Sequence, residues 1–202
     1  EPLKMVGTAG YERGAGPYVE EARVAAIVAS HFHPEWIVTI KETGQVWFVN
    51  YSQIEEPGRP LPTTMVNADL YLHDGGWAMD RYFIVAANAL DKLIVIDPLN
   101  RTIAAEVPAG NTPHPGRGAN WVHSEYGPVW ATGNLGSMEL TVVAVDPENY
   151  PEYAWQAVAR VDVPYTGNLF IKTHENSPWV IYDHPMSPLA AATATLCAIG
   201  KE

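Results

Sequence analysis

Short apolar runs rich in Val, Ile, Trp, Tyr and Thr alternate along the whole chain with turns that carry Gly or Pro. Runs of this kind, bounded by turn residues, read as β-strands. They predict strands over 23–30, 35–41, 45–51, 82–88, 92–97, 102–107, 128–133, 138–145, 156–162, 168–173, 178–183 and 192–199. The best helical candidate runs from Glu20 to Ala29, but Val24, Ile27 and Val28 suit a strand equally well. No run approaches the roughly 18 consecutive apolar residues that would suggest a membrane span.

The runs repeat on one plan. An aromatic opens a strand at Trp36, Phe83, Trp130 and Trp179, and a second apolar run follows each. The anchors are 47, 47 and 49 residues apart, a spacing that fits one four-stranded β-propeller blade per repeat. The predicted fold is therefore all-β, with 1–202 forming about four blades. Propellers close with about four to eight blades. An arc of four is expected to be completed by more of the same protein, by a second copy or by another chain, with a closed four-bladed ring as the remaining option.

Composition narrows the function. Twelve basic against 23 acidic residues give a net charge of −11, which argues against a nucleic-acid binder and against docking on anionic lipid. The first residues, Glu1 to Lys4, lead into no apolar signal segment. The lone cysteine, Cys197, lies in an apolar run and reads as a structural thiol. There is no Cys-x-x-Cys-His for covalent c-type haem, no Walker loop, no His-Glu-x-x-His and no nucleophile elbow. The acidic pairs Glu20-Glu21 and Glu55-Glu56 read as solvated turns.

The seven histidines carry the remaining chemistry. His33, His123 and His174 recur just before a blade hairpin and read as structural residues bonded locally to loop backbone. His184 reads as a loop residue, and His31 with His33 as a weak metal pair lacking a third ligand. His73 and His114 differ. They lie upstream of the hairpins, where a blade's innermost strand begins, and in a propeller those strand ends surround the central channel. Both have glycines nearby, which allow close approach of backbone or ligand. Arg117 adds a cation suited to carboxylate binding. These three residues predict an anion or cofactor pocket; the alternative is two Gly-rich turns.

The segments Leu72-His73-Asp74-Gly75-Gly76-Trp77 and Thr112-Pro113-His114-Pro115-Gly116-Arg117-Gly118-Ala119-Asn120 stand in the chain with Arg23–Ser30, Pro34–Val38, Lys41–Gly44, Arg81–Phe83, Ala86–Asn88, Gly127–Thr132 and Leu169–His174. In this order they resemble the d1-haem domain of cytochrome cd1 nitrite reductase, across nearly the whole chain. The resemblance implies the middle half of an eight-bladed propeller with haem d1 and its iron on the axis. It implies that His73 and His114 are the distal catalytic histidines, and that Arg117 pairs with the haem carboxylates.

The implied reaction is one-electron reduction of nitrite to nitric oxide in the periplasm, fed by an electron-donor cytochrome or c-type haem domain. In that family the proximal iron ligand lies upstream of the matched residues. Relatives of the same fold act in haem d1 assembly, including a dihydro-haem d1 dehydrogenase, and Asn176–Val180 and Asp183–Met186 lean towards them. A non-catalytic binding scaffold is the third reading.

Overall fold

The computed structural model describes residues 19–20, 22–54 and 61–202. The pair Glu55-Glu56, Glu21 and the first residues lie outside them. The described residues form four antiparallel sheets in chain order, and their only helical element is one 3-10 turn at Asn88–Leu90. The first sheet holds β1 (Val24–Ala29), β2 (Glu35–Ile40), β3 (Gln45–Asn50) and β4 (Thr63–Asn67). The second holds β5 (Leu72–Ala78), β6 (Tyr82–Ala87), β7 (Lys92–Asp97) and β8 (Thr102–Pro108). The third holds β9 (Pro113–His123), β10 (Gly127–Asn134), β11 (Glu139–Ala144) and β12 (Ala157–Asp162). The fourth has three strands, β13 (Ile171–Thr173), β14 (Trp179–Asp183) and β15 (Leu196–Gly200). The segment 20–29 is strand from Val24 onward; its β-branched residues prevail over the weak helical pattern.

Each sheet is an up-and-down meander, and its first strand touches the first strand of the next sheet: β1 meets β5, β5 meets β9 and β9 meets β13. These are propeller blades, with the first strands innermost. Between blades the cores are continuous. Ile37 and Phe48 of the first blade meet Phe83, Val85 and Ile94 of the second. Ile84, Ala86 and Leu93 on the opposite face of the second meet Trp130 and Val143 of the third. Val129, Ala131 and Val142 then meet Val180 and Tyr182 of the fourth. The middle strands are buried on both faces, which is why they read as unbroken apolar runs.

The four aromatic anchors all stand on second strands, but not on the same face. Phe83 and Trp130, both fully buried, face the preceding blade, and Trp36 occupies the corresponding face of the first blade. On β14 it is Val180 and Tyr182 that face the preceding blade, so Trp179 points the other way and is 51% exposed. With a side-chain period of two, an offset of one residue moves a side chain to the opposite face.

Ion pairs tie the blades at their rims. Arg101, in the turn after β7, makes a two-nitrogen contact with Glu35 of β2, with nitrogen–oxygen distances of 2.8 to 3.1 Å, and Glu35 is buried. Within the second blade Arg81 pairs with Asp97 through two bonds of 2.7 and 2.9 Å. Burial raises the Asp97 pKa, but the bonds from Arg81 and Asn100 outweigh it and hold the group at about 2.

Candidate functional site

The two innermost strands of the central blades begin alike. Tyr71, before β5, and Thr112, before β9, both adopt left-handed backbone, with φ of 62° and 52°. A histidine follows two residues later in each case: His73 on β5 and His114 on β9. Non-glycine residues seldom take this conformation, so its recurrence ahead of both strands marks the two histidines as equivalent positions in adjacent blades. Because β5 and β9 touch, the rings meet: their centroids are 4.9 Å apart and inclined by 51°.

Both strands are bulged at this level. On β5 the step from Leu72 to Gly75 is set against the shorter step from Ala87 to Val85 on β6, so β5 carries one extra residue at His73-Asp74. On β9 the span from His114 to Ala119 faces only Gly133 to Ala131 of β10. Bulges re-aim side chains. The first brings neighbours in sequence, His73 and Asp74, to one side, where a regular strand would send them to opposite faces. Asp74 then reaches both rings: Oδ1 lies 3.1 Å from His73 Nδ1, and Oδ2 lies 3.2 Å from His114 Nε2. The second bulge carries Arg117, exposed between Gly116 and Gly118, whose φ values of 59° and 67° are left-handed.

Glycine is required where the bulges meet. A Cβ on Gly76 would fall 1.8 Å from the Arg117 carbonyl oxygen, so β5 and β9 approach backbone to backbone. His114 is buried, and its Nδ1 lies 3.0 Å from the Leu169 carbonyl, just before β13. A carbonyl only accepts, so Nδ1 carries the hydrogen of this bond. Lys172 of β13 donates to the Gly118 carbonyl at 2.9 Å. Burial, then the charge of Arg117, pushes the Lys172 pKa down. Burial raises the pKa of Asp74, but the contact with His73 and the charges of His114, His73 and Arg117 prevail, so the carboxyl sits below its ordinary value.

His73, His114 and Arg117 are thus gathered on adjoining innermost strands, and Asp74 and Lys172 join them. Lys172 lies exposed on β13, and no sequence signal points it to the axis. Among the described residues, His73, Asp74 and His114 are the one group of three metal-capable side chains, their ligand atoms within 4.8 Å of one another. His31 and His33 are not a metal pair, since their rings go separately to the backbone carbonyls of Asp80 and Leu99. The His33 bond crosses to the next blade, contrary to the local bonding expected of it; His123 and His174 accept bonds from their own turns. His184 follows β14 and is fully buried between Tyr165 and Tyr182. Cys197 is partly buried against the third core. A cavity of about 650 Å³ lies elsewhere, lined by Asn120, Trp121 and Val122 near the far end of β9.

Fold and site together define a β-propeller with a histidine pair on its innermost strands. The Cytochrome D1 heme domain matches residues 1–196, and the chain belongs to this family. It is 44% identical over 194 residues to a nitrite reductase of Stutzerimonas stutzeri, covering 93% of this chain and 34% of the relative. Among solved structures it resembles the dihydro-heme d1 dehydrogenase NirN in complex with DHE (TM-score 0.70, 20% identity, 96% of this chain and 38% of that one). It also resembles the periplasmic gluconolactonase PpgL of Pseudomonas aeruginosa (TM-score 0.64, 18% identity, 90% of this chain and 53% of that one). The chain spans about a third of the length of the nitrite reductase.

Proposed function

We propose that this chain supplies the distal side of a haem d1 site that reduces nitrite to nitric oxide. The observation that carries the reading is the pair of imidazoles, 4.9 Å apart on adjoining innermost strands, in a chain of the d1-haem family. The residues present fit the group. Gly76 lets β5 and β9 pack backbone to backbone and so brings the two histidines together, and two cations, Arg117 and Lys172, lie within electrostatic reach of each other and suit the carboxylates of such a haem.

Haem d1, when bound, supplies an iron that takes nitrite and delivers the electron. Nitrite, one electron and two protons give nitric oxide and water. In this chain His73 and His114 hold the anion and donate protons to the oxygen that leaves, a task suited to imidazole, which serves as general acid and base. Arg117 fixes the haem edge. The electron comes from a donor cytochrome or c-type haem domain, in the periplasm.

The ring is completed by further blades, whether from the same protein, a second copy or another chain. Both outer faces of the arc are apolar. Ile27 and Met65 on the first blade are 57% and 56% exposed, and Trp179 and Leu196 on the fourth are 51% and 75% exposed.

A second reading, oxidation of a haem d1 precursor, draws on the likeness in fold to NirN, whose structure holds DHE. One experiment separates them. The full protein, loaded with haem d1 and reduced anaerobically, is given nitrite while nitric oxide is recorded. Nitric oxide is expected, with His73→Ala and His114→Ala each slowing it by about 10²-fold or more. No nitric oxide, with turnover of dihydro-haem d1 instead, would establish the second reading.

A further inference from the structure

We infer that His73, Asp74 and His114 form a binding site for one divalent metal ion of zinc's kind, available while the protein holds no haem. The inference stands on the geometry of these side chains and not on the nitrite reading. Their ligand atoms lie within 4.8 Å of one another. Asp74 Oδ1 is 3.1 Å from His73 Nδ1, and Oδ2 is 3.2 Å from His114 Nε2. In a tetrahedral zinc site, with bonds of about 2.0–2.1 Å, neighbouring donor atoms stand roughly 3.3 Å apart. Both approaches to Asp74 already have that spacing, and a small turn of the rings closes the remainder.

The donors are in the state that a metal needs. The bond of 3.0 Å from His114 Nδ1 to the Leu169 carbonyl puts the ring hydrogen on that nitrogen. In the neutral ring the Nε2 lone pair then faces Asp74. Histidines that ligate metals commonly give their other N–H to a carbonyl or carboxylate, which fixes the tautomer and the ring orientation. His73 Nδ1 is buried with no hydrogen-bond partner, although a carboxylate oxygen lies 3.1 Å away. Leaving such an atom unpaired is costly, and one cation shared by both rings and the carboxylate satisfies all three groups. Two imidazoles and one carboxylate are also a donor set that holds zinc in proteins.

One side of the site stays open, since the His73 and Asp74 side chains are 29% and 28% exposed and only His114 is nearly covered. Three protein ligands with an open fourth position leave room for water or a small anion. The cations nearby are Arg117 on β9 and Lys172 on β13. They oppose a bare dication and favour an anion as its fourth ligand, so the loaded site carries metal and anion together. An ion held by both imidazoles competes with any use of them over a haem.

The test is titration of the haem-free full protein with zinc chloride in a calorimeter and with cobalt(II) chloride in a spectrophotometer. The expected result is one ion per chain, with the intense visible bands of four-coordinate cobalt. In histidine-labelled NMR, zinc should shift the ring signals of His73 and His114 and leave the other histidines alone. His73→Ala, His114→Ala and Asp74→Asn should each weaken zinc binding by at least the ~10-fold that loss of an outer-shell partner costs. His123→Ala should leave it unchanged. Zinc binding no stronger than that of the His73→Ala/His114→Ala protein would overturn the proposal, as would ring shifts at other histidines instead. The NMR reading is taken on the unmodified protein, so it decides the matter where a variant fails to fold. A protein that binds zinc here but makes no nitric oxide with haem d1 would retain this inference and discard the nitrite reading, and the reverse result would do the opposite.

Discussion

Replacing Gly76 with alanine should separate the two histidine-bearing strands. The added Cβ would lie 1.8 Å from the Arg117 carbonyl oxygen and 2.5 Å from its carbonyl carbon. Both obstacles are backbone, so no side chain can swing aside. Restoring ordinary contact needs β5 and β9 to move apart by roughly 1.5 Å, given that close nonbonded contacts sit near 3.5 Å. Overpacking of this kind costs about 1–3 kcal/mol. The same movement displaces Arg117 and parts the two imidazoles, and a misplacement of about 1 Å in a reacting site can cost around 10²-fold in rate. Gly200→Ala is the control, because nothing lies within 3.6 Å of its added Cβ. Denaturant unfolding of both variants, with the rate of nitrite turnover, measures the two effects. A Gly76→Ala protein as stable and active as Gly200→Ala would refute the close packing of β5 on β9.

Trp130→Ala should cost about 3–5 kcal/mol in denaturant unfolding, since the side chain is fully buried between the second and third blades. Arg101→Ala should cost a similar 3–5 kcal/mol by stranding the buried Glu35, whereas Arg101→Met with Glu35→Met should recover most of it. Stability should fall on acidification in two windows. Burial depresses the His184 pKa, so the unfolded chain binds the proton more readily and stability drops as pH falls below the ordinary value of 6.5. His184→Phe should flatten that slope in a pH series of unfolding curves. Asp97 contributes above 3.8, and its contribution is lost as pH falls towards about 2.

Much of the fold was legible because the middle strands of each blade are buried on both sides. β2, β3, β6, β7, β10 and β11 appear as apolar runs close to their observed bounds. β5 and β9 did not appear as strands. Gly75 and Gly76 in β5, and Pro113, Pro115, Gly116 and Gly118 in β9, break the apolar pattern, and Gly116 and Gly118 supply the left-handed backbone of the β9 bulge. β4, with the polar Thr63, Thr64 and Asn67, was also missed.

The C-terminal strands are shorter than predicted. The Asp183 carboxylate accepts the backbone N–H groups of Leu169 and Phe170, which diverts them from strand pairing and delays β13 to Ile171. Turns up to Thr195 delay β15 to Leu196. At the site, His73, His114 and Arg117 stood out by their glycine context. Asp74 was hidden by strand parity, because only the bulge brings it to the side of its neighbour His73.

The most direct measurement of the central claim is an absorbance titration of the haem-free full protein with haem d1. The account expects one haem per complete propeller, with a bound spectrum that changes when His73 and His114 are both replaced by alanine and weaker binding when Arg117 is replaced. A protein that takes up no haem d1, or whose bound spectrum is indifferent to both histidines, would contradict it.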